Sequence, residues 1–188
     1  MQPDALEPRA VAADLGRRIV QWLGGIRDAD DLSPDGIARG MGIAVEIDPA
    51  HPDRYAAFLP IDAHWRFALT SLPKDGAAAP DRVMMSFDDL DGGFADMSPV
   101  CAVDFDDYAR ALEAAGYAGA VVAGARGAFR HVAFTRDRVE IRLLLRAESA
   151  AKPGHLCVSR LIVEVLSVDT LAGNAPAAAP EATDGEIR

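Results

Sequence analysis

The chain has 188 residues, half of them hydrophobic, and a formal net charge of −10 at pH 7. This length suits one domain with a sizeable core, and the negative charge argues against nucleic acid as a partner, because phosphates are bound by cationic surfaces. No apolar run reaches the roughly 18 residues that a membrane span needs. The first residues lack the pattern of an export signal. Taken literally, the sequence predicts a cytoplasmic protein; if an export signal has been removed, we expect a periplasmic one.

Two helices are predicted at the start of the chain. Apolar residues recur every three or four positions from Pro8 to Ile26, which predicts a helix with one buried face. Ser33 followed by Pro34 is a typical helix start, since serine caps the helix and proline fits its first position. This second helix is short and is expected to end at Gly40 or Gly42.

Strands are predicted for the remainder of the first half. They cover residues 43–47, 55–61, 64–72 and 82–87. In the third of them Trp65, Phe67 and Leu69 fall on one face, and His64, Arg66 and Thr70 fall on the other.

An acidic connector follows at residues 88–99. Its aspartates resemble the beginning of a calcium loop, but Gly93 and Val100 stand where the EF-hand pattern needs ligands. We therefore interpret the connector as a solvated acidic segment that contributes to partner binding.

The second half repeats the order of helix and strands. A helix is predicted at 104–115, and strands at 120–123, 129–134, 139–146 and 155–166. The run 139–146 alternates apolar and charged residues, which is typical of a half-buried strand. The tail from Leu171 is rich in alanine and proline and is expected to be disordered.

The two halves echo each other, with residues 32–89 matching residues 103–167 in order. In each half a helix that ends at a glycine precedes the strands. We therefore predict an α+β fold, in which two tandem α-β-β-β units form an antiparallel sheet with the helices on one face. The expected divisions are an N-terminal helix (1–31), a first unit with its connector (32–99), a second unit (100–168) and the tail (169–188).

Classical catalytic, cofactor and metal motifs are absent from the sequence. Cys101 and Cys157 have no metal-ligand spacing, and we expect two buried free thiols, with one disulfide in an oxidising compartment as the alternative. His131 is expected on the core face of its strand, and His155 shares a strand face with Cys157. We predict no catalytic residue, no cofactor and no resident metal.

Arginines provide the strongest functional signal. They are concentrated in residues 110–160, which carry 9 Lys/Arg against 4 Asp/Glu in an otherwise acidic chain. Arginine on a sheet face suits the bidentate binding of carboxylates across an interface; the alternative is a solvated face that pairs with the protein's own acidic half. The predicted partner-binding residues are Arg130, Arg138, Arg142, Arg146, Asp88, Asp89 and Asp91.

The order of elements over residues 32–167, with Gly42 and Gly116 after the helices, resembles β-lactamase inhibitory protein and small outer-membrane lipoproteins of the SmpA type. The chain is also similar in size and character to acidic bacterial toxin-immunity proteins. The resemblance implies a sheet surface that grips a protein partner, without catalysis.

The sequence thus predicts a non-enzymatic bacterial protein that binds and inhibits a protein partner, for example a secreted toxin or enzyme. One alternative is a ligand-binding or enzymatic domain in which His131, His155 and Cys157 converge in a pocket between sheet and helices. Another is an acidic secretion chaperone in which the helix at 8–26 pairs in a homodimer.

Overall fold

The computed structural model describes residues 7–73, 81–92, 95–124 and 129–166, without the side chains of residues 129 and 130. It confirms a mixed α+β fold, with three α-helices and an eight-stranded antiparallel sheet. The elements are α1 (Pro8–Gly25), a 3-10 helix (Ala29–Leu32), α2 (Pro34–Met41), β1 (Glu46–Asp48), β2 (His51–Pro60), β3 (Trp65–Ser71), β4 (Arg82–Asp89), α3 (Phe105–Ala114), β5 (Ala118–Ala123), β6 (Phe129–Arg136), β7 (Val139–Ser149) and β8 (Lys152–Val165).

The strands lie in the order β1-β2-β3-β4-β8-β7-β6-β5. Each run of four strands is an antiparallel meander, and the two runs meet where β4 pairs with β8, with Met85 opposite Leu161. Each half therefore contributes four strands, which agrees with the four strands predicted individually in each half and adds one to the α-β-β-β unit. The first strand also begins later than predicted: Ile43 packs in the core, and β1 starts only at Glu46.

One hydrophobic core lies between the helices and one face of the sheet. It joins Leu15 and Ile19 of α1 to residues of the central strands, including Phe67, Leu161 and Ile141, all of which are nearly inaccessible to solvent. The alternation along β3 and β7 produces this face, as the sequence predicts, because successive strand residues point to opposite sides. The opposite face of the sheet carries the intervening residues.

Local signals fix the helix ends. Ser33 accepts a hydrogen bond from the Gly36 amide at the start of α2, and Gly42 ends that helix in the left-handed conformation, with φ 66°. Asp104 and Asp107 form a reciprocal capping box at the start of α3. These caps position the segment before α3 over the end of β8, where Asp104 bridges to Cys157.

Among the described residues, no helix is long and apolar enough to cross a membrane. The predicted disordered tail and part of the acidic connector (residues 93 and 94) lie outside the described residues.

Candidate functional site

The sheet face opposite the helices carries two adjoining grooves. The outer groove, about 490 Å³, lies over β5 to β8 and is lined by Val122, His131, Ala133, Glu140, Arg142, Leu144 and Ile162. The central groove, about 810 Å³, includes residues of β3, β4, β7 and β8; it is lined by Arg66, Ser86, Phe87, Asp88, Asp89, Leu90, Gly92, Leu144, Leu145, Arg146, Ser159 and Arg160. Leu144 borders both, and we call this surface the open face.

Arg142 anchors a charged network in the outer groove. Its Nη2 donates to Glu164 Oε2 at 2.6 Å, and its Nε donates to Glu140. Burial disfavours the charge of Arg142, but hydrogen bonds and the charges of these two glutamates hold the pKa of its guanidinium above the ordinary value. Because the Glu164 side chain is only 7% exposed, removing Arg142 would leave a buried carboxylate without this partner.

The arginines of the central groove differ in their partners. Arg66 Nε lies 3.3 Å from Asp88 Oδ2, and its guanidinium also stacks 5.0 Å from the centre of the Phe58 ring. Arg146 donates to the Ala95 carbonyl at 2.8 Å. Arg160 is exposed, and the described part of the chain offers it no ionic partner. Its guanidinium is therefore available to a carboxylate from another molecule.

The predicted partner-binding residues divide into those on the open face and those elsewhere. Arg142, Arg146, Asp88 and Asp89 line its two grooves. Sequence analysis did not select Arg160, which shares the outward face of β8 with Ile162 and Glu164. The predicted strand 155–166 is mostly apolar and does not show the regular alternation of charges seen in 139–146.

The other three predicted residues lie away from the grooves or cannot be placed. Asp91 is exposed beyond β4, where its carboxylate lies 2.6 Å from Nδ1 of His64. Arg138 lies in the turn between β6 and β7. Arg130 belongs to β6, but its side chain is outside the described residues.

Arg136 stabilises the fold instead of facing a partner. It donates to the carbonyls of Gly24, Ile26 and Ala115, at 3.0, 2.6 and 2.6 Å, near the ends of α1 and α3, and it stacks 4.3 Å from the centre of the Tyr117 ring. Cations are favourable at helix C-termini, where carbonyls lack partners. The concentration of arginine in this region is thus partly structural.

A second polar cluster lies at the other end of β8, around a disulfide. Cys101 and Cys157 are bonded, with their Cα atoms 5.4 Å apart, so the expectation of two free thiols is wrong. The two residues are 2% and 1% exposed. Their pairing requires the capped segment before α3 to fold onto β8, a contact between residues 56 positions apart that the sequence alone does not reveal.

His155 connects this disulfide region to two carboxylates. Its Nδ1 lies 2.8 Å from Glu148 Oε2 and its Nε2 lies 3.0 Å from Asp104 Oδ2. Hydrogen bonds with Asp104 and Glu148 raise the pKa of His155. Burial raises the pKa of Asp104, but hydrogen bonds from the Asp107 amide and from His155 outweigh it, and the net direction is downward.

Glu148 is the buried centre of this cluster. It is 2% exposed, and its carboxylate accepts from the Ser98 hydroxyl at 2.9 Å and lies 2.9 Å from Lys152 Nζ. Hydrogen bonds from Lys152, Ser98 and His155 lower the pKa of Glu148 to about 2. The carboxylate is therefore ionised and well partnered.

The expected convergence of His131 with His155 and Cys157 does not occur. His131 lines the outer groove on the open face, which corrects the prediction that it faces the core; its neighbour Val132 faces the core instead. His155 lies beside the disulfide, in contact with Asp104 and Glu148. The two histidines therefore belong to separate sites.

Comparison with known proteins yields no match, either among protein-family models, among curated proteins or among solved structures. The functional inference therefore depends on the open face and the disulfide cluster themselves.

Proposed function

We propose that this protein binds another protein without catalysis, by accepting an acidic segment of the partner on its open face. The observation that carries the proposal is Arg160: an exposed guanidinium in the central groove, without an ionic partner in the described part of the chain. A groove of about 810 Å³ is large enough to receive a loop of the partner, and carboxylate is the group that an arginine fork binds best.

The arrangement around Arg160 favours an interface over a merely solvated surface. Leu144 and Leu145 contribute apolar lining beside the charged groups, and protein interfaces combine such apolar area with arginine anchors. Arg66 and Arg142 form ion pairs with the protein's own acidic residues. For these two arginines the alternative interpretation, a face that pairs with the protein's own acids, applies. Pairing of this kind holds the arginines in place and gives the open face a fixed charge pattern.

The more specific proposal is an inhibitor or immunity protein of a bacterium, which covers the surface of a secreted toxin or enzyme. Its support is the order of one helix and four strands in each half, which resembles the order of elements in β-lactamase inhibitory protein. The same order motivates our proposal that the two halves are tandem repeats. Of the two compartments considered, the Cys101–Cys157 disulfide favours the oxidising periplasm. The apolar face of α1 is buried in the protein's own core. This disfavours the alternative of a chaperone that dimerises through that helix.

The proposal is tested by capture of the partner. The full-length protein is immobilised and exposed to the lysate and the secreted fraction of its host, and retained proteins are identified by mass spectrometry. The proposal predicts one stoichiometric protein that raised salt releases, since screening weakens exposed ion pairs. Retention of no protein above background at any salt concentration would argue against a protein partner.

A further inference from the structure

We propose that Cys101, Cys157 and His155 form a redox-dependent zinc site, which is closed while the cysteines are bonded and binds one Zn²⁺ once the bond is reduced. This inference concerns the disulfide cluster and does not depend on the function of the open face. It assigns the cluster a ligand of stated chemistry, a divalent metal ion with an affinity for thiolate and imidazole.

The donor atoms are already close enough to share a metal ion. The two Sγ atoms and a ring nitrogen of His155 all lie within 4.8 Å of one another. Zn–S and Zn–N bonds are about 2.3 and 2.0–2.1 Å long, so tetrahedral ligands lie roughly 3.5–3.8 Å apart. Breaking the disulfide lets the sulfurs separate to that distance, with the Cα atoms starting 5.4 Å apart, so that small side-chain rotations complete the triad.

The surroundings of His155 match those of a metal-binding histidine. Glu148, which is nearly inaccessible, accepts from Nδ1 of His155 at 2.8 Å, and such a carboxylate fixes the tautomer that directs Nε2 towards a metal. Nε2 is directed at Asp104 Oδ2, 3.0 Å away. On metal binding, the ion replaces this hydrogen bond on Nε2. The Asp104 carboxylate is outside the group of donor atoms that lie within 4.8 Å of one another, so we expect water to supply the fourth ligand.

Access to the site differs between its ligands. The cysteines are almost wholly buried, whereas the His155 side chain is 39% exposed. A metal ion therefore enters from the side of His155 and meets the sulfurs behind it. Two thiolates and an imidazole, completed by a water molecule, form a ligand set that suits tetrahedral zinc.

The chemistry balances with a dithiol as the reductant. The dithiol transfers two electrons and two protons: the Cys101–Cys157 bond breaks to give two thiols, and the dithiol closes to a disulfide. Zn²⁺ then displaces the two thiol protons to solvent, together with the imidazole proton if His155 is charged. In both redox states the segment before α3 remains tied to β8, by a covalent bond in one state and by metal coordination in the other.

The test uses the full-length protein and Co²⁺ as a spectroscopic probe for Zn²⁺. The protein is reduced by a dithiol, freed of it without oxygen, and titrated with Co²⁺. We expect one Co²⁺ per chain, with a thiolate-to-cobalt charge-transfer band and the visible bands of tetrahedral cobalt, and their loss when one equivalent of Zn²⁺ is added. The oxidised protein should show neither band.

A variant pair isolates the role of the histidine. His155→Ala should weaken Co²⁺ binding at least tenfold, whereas His51→Ala, which changes an exposed histidine elsewhere, should leave it unaltered. Circular dichroism of each reduced protein verifies that it is folded, and the comparison of oxidised and reduced wild type needs no substitution. A folded, reduced protein without the charge-transfer band, or an H155A variant that binds as tightly as wild type, would overturn the proposal.

Discussion

Reduction of the disulfide should destabilise the protein by about 4 kcal/mol. The bond joins residues 56 positions apart. A cross-link lowers the entropy of the unfolded chain by an amount that grows with the logarithm of the number of residues in the closed loop. For a loop of this length, losing the cross-link lowers the free energy of unfolding at 25 °C by about 4 kcal/mol. The Cα separation of 5.4 Å lies in the usual range for disulfides, so we expect most of this stabilisation to be realised.

Urea unfolding of the oxidised and the reduced protein measures this difference on one unchanged sequence. A chelator is present throughout, so that no metal ion restores part of the stability. Domains are commonly stable by about 5–15 kcal/mol, and the reduced protein should therefore remain folded, with a lower midpoint. Its m-value should be larger, because the reduced unfolded chain exposes more surface.

Two results would refute the reasoning. A difference below about 1 kcal/mol would mean that the unfolded chain is already restricted without the bond. A more stable reduced protein would mean that the bond strains the contact between β8 and the segment before α3. A double variant, C101S/C157S, should reproduce the loss seen on reduction.

Two further predictions concern a helix contact and a surface ion pair. Gly40→Ala should destabilise the protein by about 1–3 kcal/mol in urea unfolding, because the new Cβ would lie 2.1 Å from Cδ1 of the packed Trp22 ring. The control Gly25→Ala, whose Cβ meets nothing within 4 Å, should cause no such loss of stability. Equal losses in the two variants would contradict the predicted clash with Trp22. The hydrogen bond and charge of Asp91 raise the pKa of His64 above 6.5, so the pair stabilises the fold at pH values below 6.5 and this contribution is lost as the pH rises through the raised pKa. Asp91→Asn should lower that pKa in an NMR titration, and an unchanged value would show that the ion pair does not form.

The strands and helices were largely predictable because their signals are local. The alternation of Trp65, Phe67 and Leu69 identifies the buried side of β3, and Ser33 with Pro34 marks the start of α2. The strand boundaries were less predictable, since they depend on pairing between distant segments and on bulges such as the one between β1 and β2.

The functional residues were harder to predict from the sequence, because their partners are set by the tertiary structure. Arg142 stands out in the sequence because it alternates with apolar residues, but its two glutamate partners become visible only when β7 and β8 are aligned. In the sequence Arg136 looks equally suitable for binding a partner, yet its guanidinium donates hydrogen bonds to carbonyls at the end of α1. The sequence favours free thiols over the disulfide because no pattern links Cys101 to Cys157, 56 positions apart, before the chain is folded.

The claim that the open face receives an acidic segment is tested most directly by comparing two charge reversals. Arg160→Glu alters the exposed arginine of the central groove, whereas Arg17→Glu alters an equally charged residue on the exposed surface of α1. Arg142 is avoided because its pairing with buried Glu164 would confound binding with stability.

The measurement is the Kd of the captured partner for wild type and for each variant. We predict that R160E raises the Kd at least about tenfold, a loss of about 1.4 kcal/mol, and that R17E leaves it unchanged although it alters the net charge equally. Equal affinities for R160E and wild type, or equal losses in both variants, would contradict the assignment of the open face as the binding surface.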